Sequence, residues 1–578
     1  MQIARLEQGK AVPGDMETFM RVYPMGFIPA VKETLMQYAQ ESLSRLQPLS
    51  AVTTQLAEAL QGRSDESGDL SQIFELVRIL GQGVQDGVQV SQEELEFITH
   101  ALHTDEELAV IFAKISRNPG SFRDIARSVT EEGAAKFHEK WVVSVEGYGH
   151  ASVAEHAVLH LAVENVPSLD GDCETDNRLA SFTEFSARFK GRQDVGWFIP
   201  DAVARDPRLL QKCNEVHLAL FGVHDDLFEK GKQYIATEEA KLKHPGRKVK
   251  DKTIADQFKN LMPASRLTSI GVTMNAREAE NTIRKMLSAP YESVQEMGKR
   301  MKEASLQVAP TLVKYANPSE YLQLTRDGLV KLVENQRWQG YIPEIFEDDN
   351  QVRLLDYDRM GEEKIIAAAL FSQTKVGSFR ELMDKTSNLT EEEKRKTIAE
   401  LLDRLGRWDV PGRALEFINP YLVEINTMTY GDWREAKRHR MLSYLAKDLH
   451  VQYGYMIPPL AFEMDQSANP QFHGCAEQIR RVMGSVEDLF VEVEKIDPYS
   501  AQYAVTRFHY RPAIMQMSLR EGFHFIPLRT GPTAHPFIRR LAWPVFDRIR
   551  EVHPLLTDHL KLRLESEGRP DRNFHYTY

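Results

Sequence analysis

The chain repeats itself, and a duplicated unit dictates architecture more tightly than any composition figure because it must bury the same faces twice. Ile111-Phe112 followed by Gly120-Ser121-Phe122-Arg123 recurs as Leu370-Phe371 followed by Gly377-Ser378-Phe379-Arg380. In the same order, Glu155 to Asn165 (EHAVLHLAVEN) parallels Glu416 to Asn426 (EFINPYLVEIN), and Phe198-Ile199-Pro200 parallels Met456-Ile457-Pro458. Matches kept in register point to duplication of one domain. Each copy carries a helix near its start, an apolar β-like run (Val158 to Val163; Tyr421 to Ile425) and then charged helices, which gives an α+β fold class. The chain accordingly divides into a helical N-terminal extension (1–104), a first copy (105–335) and a second copy (350–578). The second copy opens near the strand-like Val352 to Tyr357, after the acidic linker Glu344 to Asp349. In the extension, Val31 to Leu46 and Leu70 to Leu80 carry apolar residues at helical spacing. Gly81 to Gly87 reads as a glycine-rich helix terminus, since it follows a helix-like run where a dinucleotide loop would follow a strand.

Composition narrows the function classes. With 42% hydrophobic and 27% charged residues, the 578-residue chain can fill full cores and stay in solution. A net charge of -12 argues against a general nucleic-acid or membrane-surface binder, which needs a basic footprint. Cys173, Cys213 and Cys475 are far apart and lack CxxC spacing, so neither a disulfide framework nor a cysteine zinc site is expected. The first ten residues show no basic-then-apolar signal pattern, no run of about 18 apolar residues occurs, and a cytoplasmic location is the expectation.

Three clusters could do chemistry. Arg438-His439-Arg440 groups cations and an imidazole, suited to a phosphate or the electron-rich edge of a heterocycle, although with Arg434 and Lys437 beside it a solvated basic helix face is the plainer reading. Between Arg178 and Arg188, the residues Glu184, Ser186 and Arg188 alternate with Phe185 and Ala187, so an extended backbone would turn all three to one face, as a nucleotide site or an exposed polar strand. In Gly149-His150-Ala151-Ser152-Val153-Ala154-Glu155-His156, His156 and His160 stand four apart. Ala157 occupies the place where a helical zinc protease motif needs its Glu, so no metal is assigned.

Together the clusters resemble the flavin-dependent thymidylate synthases, whose signature is Arg-His-Arg, seven residues, then Ser, preceded by Gly-His-x-Ser/Thr-x-x-Glu-His. The first copy has the Gly149 to His156 segment, then Asp176-Asn177-Arg178 in place of Arg-His-Arg, then Ser186 and Arg188. The second copy keeps Arg438-His439-Arg440 but has Asp448 in place of the Ser and His450 in place of the following Arg. Downstream the family has Asn-Ala-Arg and, nine residues after that Arg, an Arg that assists ionisation of the uracil ring. The first copy reads Asn275-Ala276-Arg277 and then Met286; the second reads Ser518-Leu519-Arg520, His524 and then Arg529.

The losses are complementary, which implies one composite site in a fused pseudo-dimer. By resemblance, Glu184, Ser186, Arg188 and Lys259 would hold dUMP or a related pyrimidine nucleotide. His150, Ser152, Arg438, His439, Arg440, Arg520 and His524 would contact FAD, and Arg529 would act on the uracil. The resemblance implies C5 methylation with methylenetetrahydrofolate, reduced FAD relaying the methylene and supplying the hydride and NADPH regenerating it. Two chains would form a pseudo-tetramer. A flavoenzyme of the same fold acting on another pyrimidine nucleotide, or a non-catalytic flavin or nucleotide binder, stays open at this point.

Overall fold

Alternation of apolar and polar residues sets the strands. Along Val158–Pro167, Leu159, Leu161 and Val163 are buried while His160 between them is exposed, as a half-buried strand requires. The computed structural model describes residues 2–7, 10–16, 20–24, 103–142, 149–185, 196–244, 251–335 and 352–569. Its strands are β1 (Gln2–Glu7), β2 (Lys10–Asp15), β3 (Arg21–Pro24), β4 (Val158–Pro167), β5 (Ala180–Glu184), β6 (Trp197–Ile199), β7 (Leu267–Asn275), β8 (Val352–Asp356), β9 (Tyr421–Ile425), β10 (Ser443–Ala446) and β11 (Ala513–Met517). The apolar runs at Val158 and Tyr421 and the strand start at Val352 are thus strands.

Two antiparallel four-stranded sheets form, ordered β3-β4-β7-β5 and β8-β9-β11-β10. Counted by appearance in the chain, each runs first, second, fourth, third. A small third sheet is ordered β2-β1-β6. The expectation of a helical extension fails at its start, where β1, β2 and β3 stand. The reason is long-range pairing: Gln2 registers with Ile199 and Arg21 with Glu164, partners that local periodicity cannot announce. Because β3 completes the first sheet, a boundary at residue 104 cuts through that sheet. The calls on 31–46, 70–80, 81–87 and 344–349 lie outside the described residues.

Among the helices of the described residues are α1 (Asp105–Ile115), α2 (Ser168–Glu174), α3 (Pro207–Ile235), α4 (Ala276–Leu287), α5 (Glu292–Val308), α6 (Tyr430–Ala436), α7 (Cys475–Glu494), α8 (Leu519–Thr530) and α9 (Pro536–Val552). Most begin on a capping side chain. Thr429 and Asp432 form a reciprocal capping box at α6, and Ser518 accepts from the Glu521 N–H at α8. The long helices α3 and α7 pack against each other, and one apolar core runs through both halves, from Leu159 and Phe258 to Phe508 and Phe525. His156 closes a short 3-10 turn, Ala151–His156, while His160 lies in β4, so the two do not share a helix face.

The halves meet along a buried polar seam. Helix α2 is buried over most of its length although it carries Asp170, Asp172 and Glu174, and a Cβ on Gly171 would come 2.7 Å from Ile270 Cδ1. Its charges are answered from the other half. Lys437 Nζ donates to Asp172 Oδ1 at 2.5 Å, Arg434 lies 3.6 Å from the same oxygen, and the Tyr503 hydroxyl donates to Asp170 at 2.6 Å. Burial pushes the Asp172 carboxyl up, but the Lys437 and Arg434 cations overcome it and hold the group at about 2. Asp172 is therefore a carboxylate at neutral pH.

Glu174 has no such answer. Both its carboxyl oxygens are buried without a hydrogen-bond partner among the described residues, and burial raises the group to about 8, against a small opposing pull from Lys437. A carboxyl raised on folding binds more protons folded than unfolded, so its contribution falls as pH rises from about 4.5 through about 8. Glu174→Gln, which mimics the protonated acid, should therefore stabilise the protein by about 2 kcal/mol at pH 8 and by little at pH 5. Urea unfolding of both proteins at the two pH values checks this.

Candidate functional site

Helix α6 ends at Ala436, and of the four residues after it Arg438 and Arg440 reach β5 from the other half. Their roles differ because their surroundings differ. Arg434 and Lys437 are buried at 7% and 6% exposure, which corrects the reading of a solvated basic face. That reading fails because local charge spacing cannot register carboxylates brought in from the first half. Arg434 pairs with Glu184 and donates to the Ser168 carbonyl at 3.1 Å; burial, with the neighbouring Arg507 cation, lowers it to about 9. Arg507 donates to Ser168 Oγ at 2.7 Å.

Within the triplet, Arg438 is half exposed and reaches Glu184 Oε2 at 3.4 Å. Arg440 turns to the first half and donates to the Ala180 carbonyl and, at 3.4 Å, to that of Arg178. His439 is buried between α6 and α8. Its Nδ1 lies 3.1 Å from Glu521 Oε1, and Arg529 Nε–H donates to its Nε2 at 2.8 Å. Burial lowers the imidazole to about 4, the nearby Arg529 cation adding to the effect and Glu521 opposing it, so the ring is neutral at pH 7. A neutral ring that accepts at Nε2 carries its proton on Nδ1 and gives it to the Glu521 carboxylate. Arg529, at 15% exposure, also donates through Nη1 to Glu435 at 2.7 Å. His524, 61% exposed, lies 3.4 Å from the same Glu521 oxygen. Glu521, Glu435 and Arg507 escaped the sequence reading; the register Ser518-Leu519-Arg520-Glu521 against Asn275-Ala276-Arg277-Glu278 was the available signal for the first.

A cavity of about 530 Å³ opens beside this chain of contacts. Trp408, Pro411, Phe523 and Leu528 give it apolar walls, Arg407, Arg520 and His524 supply donors, and Asp409, Glu416, Glu521 and Glu567 add carboxylates. Arg520 is held by Glu416 at 2.5 Å and by the Pro411 carbonyl at 2.9 Å. A cavity of this size with apolar walls and a few cationic donors suits a planar aromatic ring system carrying phosphates. The arrangement thus fits a flavin on the chemistry of its donors.

The remaining calls fall into three groups. Lys259 sits 3.4 Å from Asp256 in a turn that enters the seam: Arg507 N–H donates to the Met262 carbonyl at 3.0 Å, and a Cβ on Gly431 would come 2.5 Å from Asn260. Ser186 and Arg188 lie outside the described residues, two and four positions past Glu184. His150 and Ser152 are exposed on the turn that packs against α1 and α4 of the first half, with His150 stacked 6.4 Å from Trp141. The structure does not bring them to the triplet within this chain. Beside α8 stands the second half's own turn, Arg413–Glu416, and the two turns carry matching ion pairs, Glu155–Arg277 and Glu416–Arg520. A motif transferred by order along the chain cannot say which half's turn faces a given helix.

The family model described as thymidylate synthase complementing protein (Thy1) matches residues 97–311 and 353–555. A UPF0159 protein of Thermoplasma acidophilum is 26% identical over 53% of this chain, and the alignment spans 58% of that relative's length, less than two thirds. A UPF0159 protein of Chlamydia muridarum is 24% identical over 75% of this chain and 84% of its own. A flavin-dependent thymidylate synthase of Clostridium tetani is 25% identical over 37% of this chain and 83% of its own. No helix among the described residues is long and apolar enough to cross a membrane.

The two arginines of the triplet should separate on mutation. Arg440→Ala removes bonds to the backbone of the other half and should cost about 1 kcal/mol of stability, whereas Arg438→Ala, exposed and paired at 3.4 Å, should stay within about 0.5 kcal/mol of the parent. Urea unfolding reads both.

Proposed function

The chain belongs to the thymidylate synthase complementing protein family, and from that premise we propose that it is a flavin-dependent thymidylate synthase-like enzyme that methylates dUMP at C5. Both halves would furnish one active site. The observation that carries this reading is the contact of Glu184, from the first half, with Arg438 and Arg434 of the second, one helix away from the Arg529–His439–Glu521 chain. The two half-signatures, each incomplete alone, converge at that contact.

In this reading Arg407, Arg520 and His524, which line the cavity beside α8, would hold FAD. The cofactor would supply the methylene relay from methylenetetrahydrofolate and the hydride, with NADPH as reductant. The protein's own residues do the rest. C5 of a uracil is a poor nucleophile until negative charge enters the ring from N3 and O4, and a guanidinium at those atoms in a poorly solvated cleft stabilises that charge. Arg529 takes this role: it is largely buried and donates to neutral His439, which Glu521 holds in turn. Glu184, Ser186, Arg188 and Lys259 hold the nucleotide's sugar and phosphate, and His150 and Ser152 reach a flavin from a second chain in a pseudo-tetramer.

The site mirrored in the other half is spent. Asp176, Asn177 and Arg178 replace the triplet there, and Lys285 donates to the Asp176 carbonyl at 2.6 Å and to Asn177 Oδ1 at 2.9 Å. Tyr444 closes on Asp176 at 3.0 Å, and Asp448 would repel a phosphate. Purified protein should show flavin absorbance and oxidise NADPH faster with dUMP than without. Ser186→Ala and Arg529→Ala should each lower dTMP formation at least about 100-fold although they lie in different halves, and Asp448→Ala should be nearly silent. A colourless protein indifferent to dUMP would refute the reading.

A further inference from the structure

Arg529 has five N–H donors on a planar fork, and the contacts around it use them unevenly. Nε gives its proton to His439 Nε2 at 2.8 Å, and Nη1 gives one to Glu435 Oε2 at 2.7 Å. Among the described residues Nη2 has no partner. A guanidinium with one free edge can meet a heterocycle in only one orientation, while a guanidinium held by one bond swings about its stem and loses the advantage of a fixed donor. Glu435 stands in the turn of α6 just before the triplet, so the backbone that aims Arg438, His439 and Arg440 also aims the carboxylate. His439 alone does not suffice: a single bond at Nε lets the whole planar guanidinium turn about that hydrogen bond until another contact stops it.

We propose that Glu435 is a positioning residue for Arg529, accepting from Nη1 while His439 accepts from Nε, so that the Nη2 edge is the one offered to a pyrimidine ring as it becomes anionic. This rests on the reading of Arg529 as the ring-polarising residue. The carboxylate also keeps a cation at hand in a buried place: Arg438 lies near the same guanidinium and opposes its charge, and Glu435 offsets both that repulsion and the burial of Arg529. The chain Glu435, Arg529, His439, Glu521 thus alternates acceptor and donor from one helix to the other. No residue in it is left to find its orientation from substrate.

Glu435→Ala and Glu435→Gln test the proposal in two ways. In dTMP formation by the flavin-loaded enzyme, Glu435→Ala should lower kcat about 10-fold with KM for dUMP within about twofold, and Glu435→Gln, which keeps an acceptor oxygen, should come back to within about threefold of the parent. The second readout needs no substrate. His439 faces Glu521, His524 and Arg529 from α8, and releasing Arg529 removes a donor and a cation from its Nε2 side. Histidine NMR titration, with the resonance identified by its loss in His439→Gln, should therefore show the midpoint rising from about 4 by on the order of one pH unit in Glu435→Ala and staying in place in Glu435→Gln. Equal loss of kcat in both variants, or a His439 midpoint unmoved by Glu435→Ala, overturns the proposal. A parent protein that does not turn over dUMP overturns the functional reading instead, and the titration still decides whether Glu435 holds Arg529.

Discussion

Everything in this protein's site depends on a buried exchange of charge between the two halves: Asp172 against Lys437 and Arg434, and Arg434 against Glu184. Taking such groups out of water is expensive, and the cost is recovered only when each charge meets its partner in good geometry. That requirement makes the seam selective. Removing Asp172 would leave two cations in a dry interface, so α2 and α6 are bound to one relative placement. The end of β5 and the triplet after α6 are then neighbours without further help. The same seam carries an unmet cost at Glu174, whose carboxyl oxygens find no partner among the described residues. The interface is therefore specific without being optimal for stability, a balance in which ionic groups fix arrangement more than they add strength.

Upon that frame the chemistry is a matter of protonation and aim. His439 is neutral because it is buried, and being neutral it can accept from Arg529 with one nitrogen and donate to Glu521 with the other. An imidazolium could do only the second. Burial, which elsewhere in the seam must be offset by counter-charges, here sets a tautomer and through it the direction of a guanidinium. At the corresponding place in the first half, Lys285 and Tyr444 both bond Asp176.

How much of this the sequence discloses depends on how far away the deciding partner lies. Strands at Val158, Tyr421 and Val352 are legible because alternation is local, and the two four-stranded sheets share one strand order. The strands at Gln2, Lys10 and Arg21 are illegible because their pairing comes from Trp197–Ile199 and from β4. Arg434 and Lys437 look solvated in isolation, since Asp172 and Glu184 stand far earlier in the chain. The motif order names Arg529 and His439, which share a hydrogen bond, and it also names His150 and Ser152, whose turn within one chain packs on the first half.

The central claim is that two incomplete halves make one site and not two. Calorimetric titration of the flavin-loaded protein with dUMP counts those sites directly, independent of turnover. One nucleotide bound per chain is the result expected here; two equivalent nucleotides per chain, or none, would contradict it.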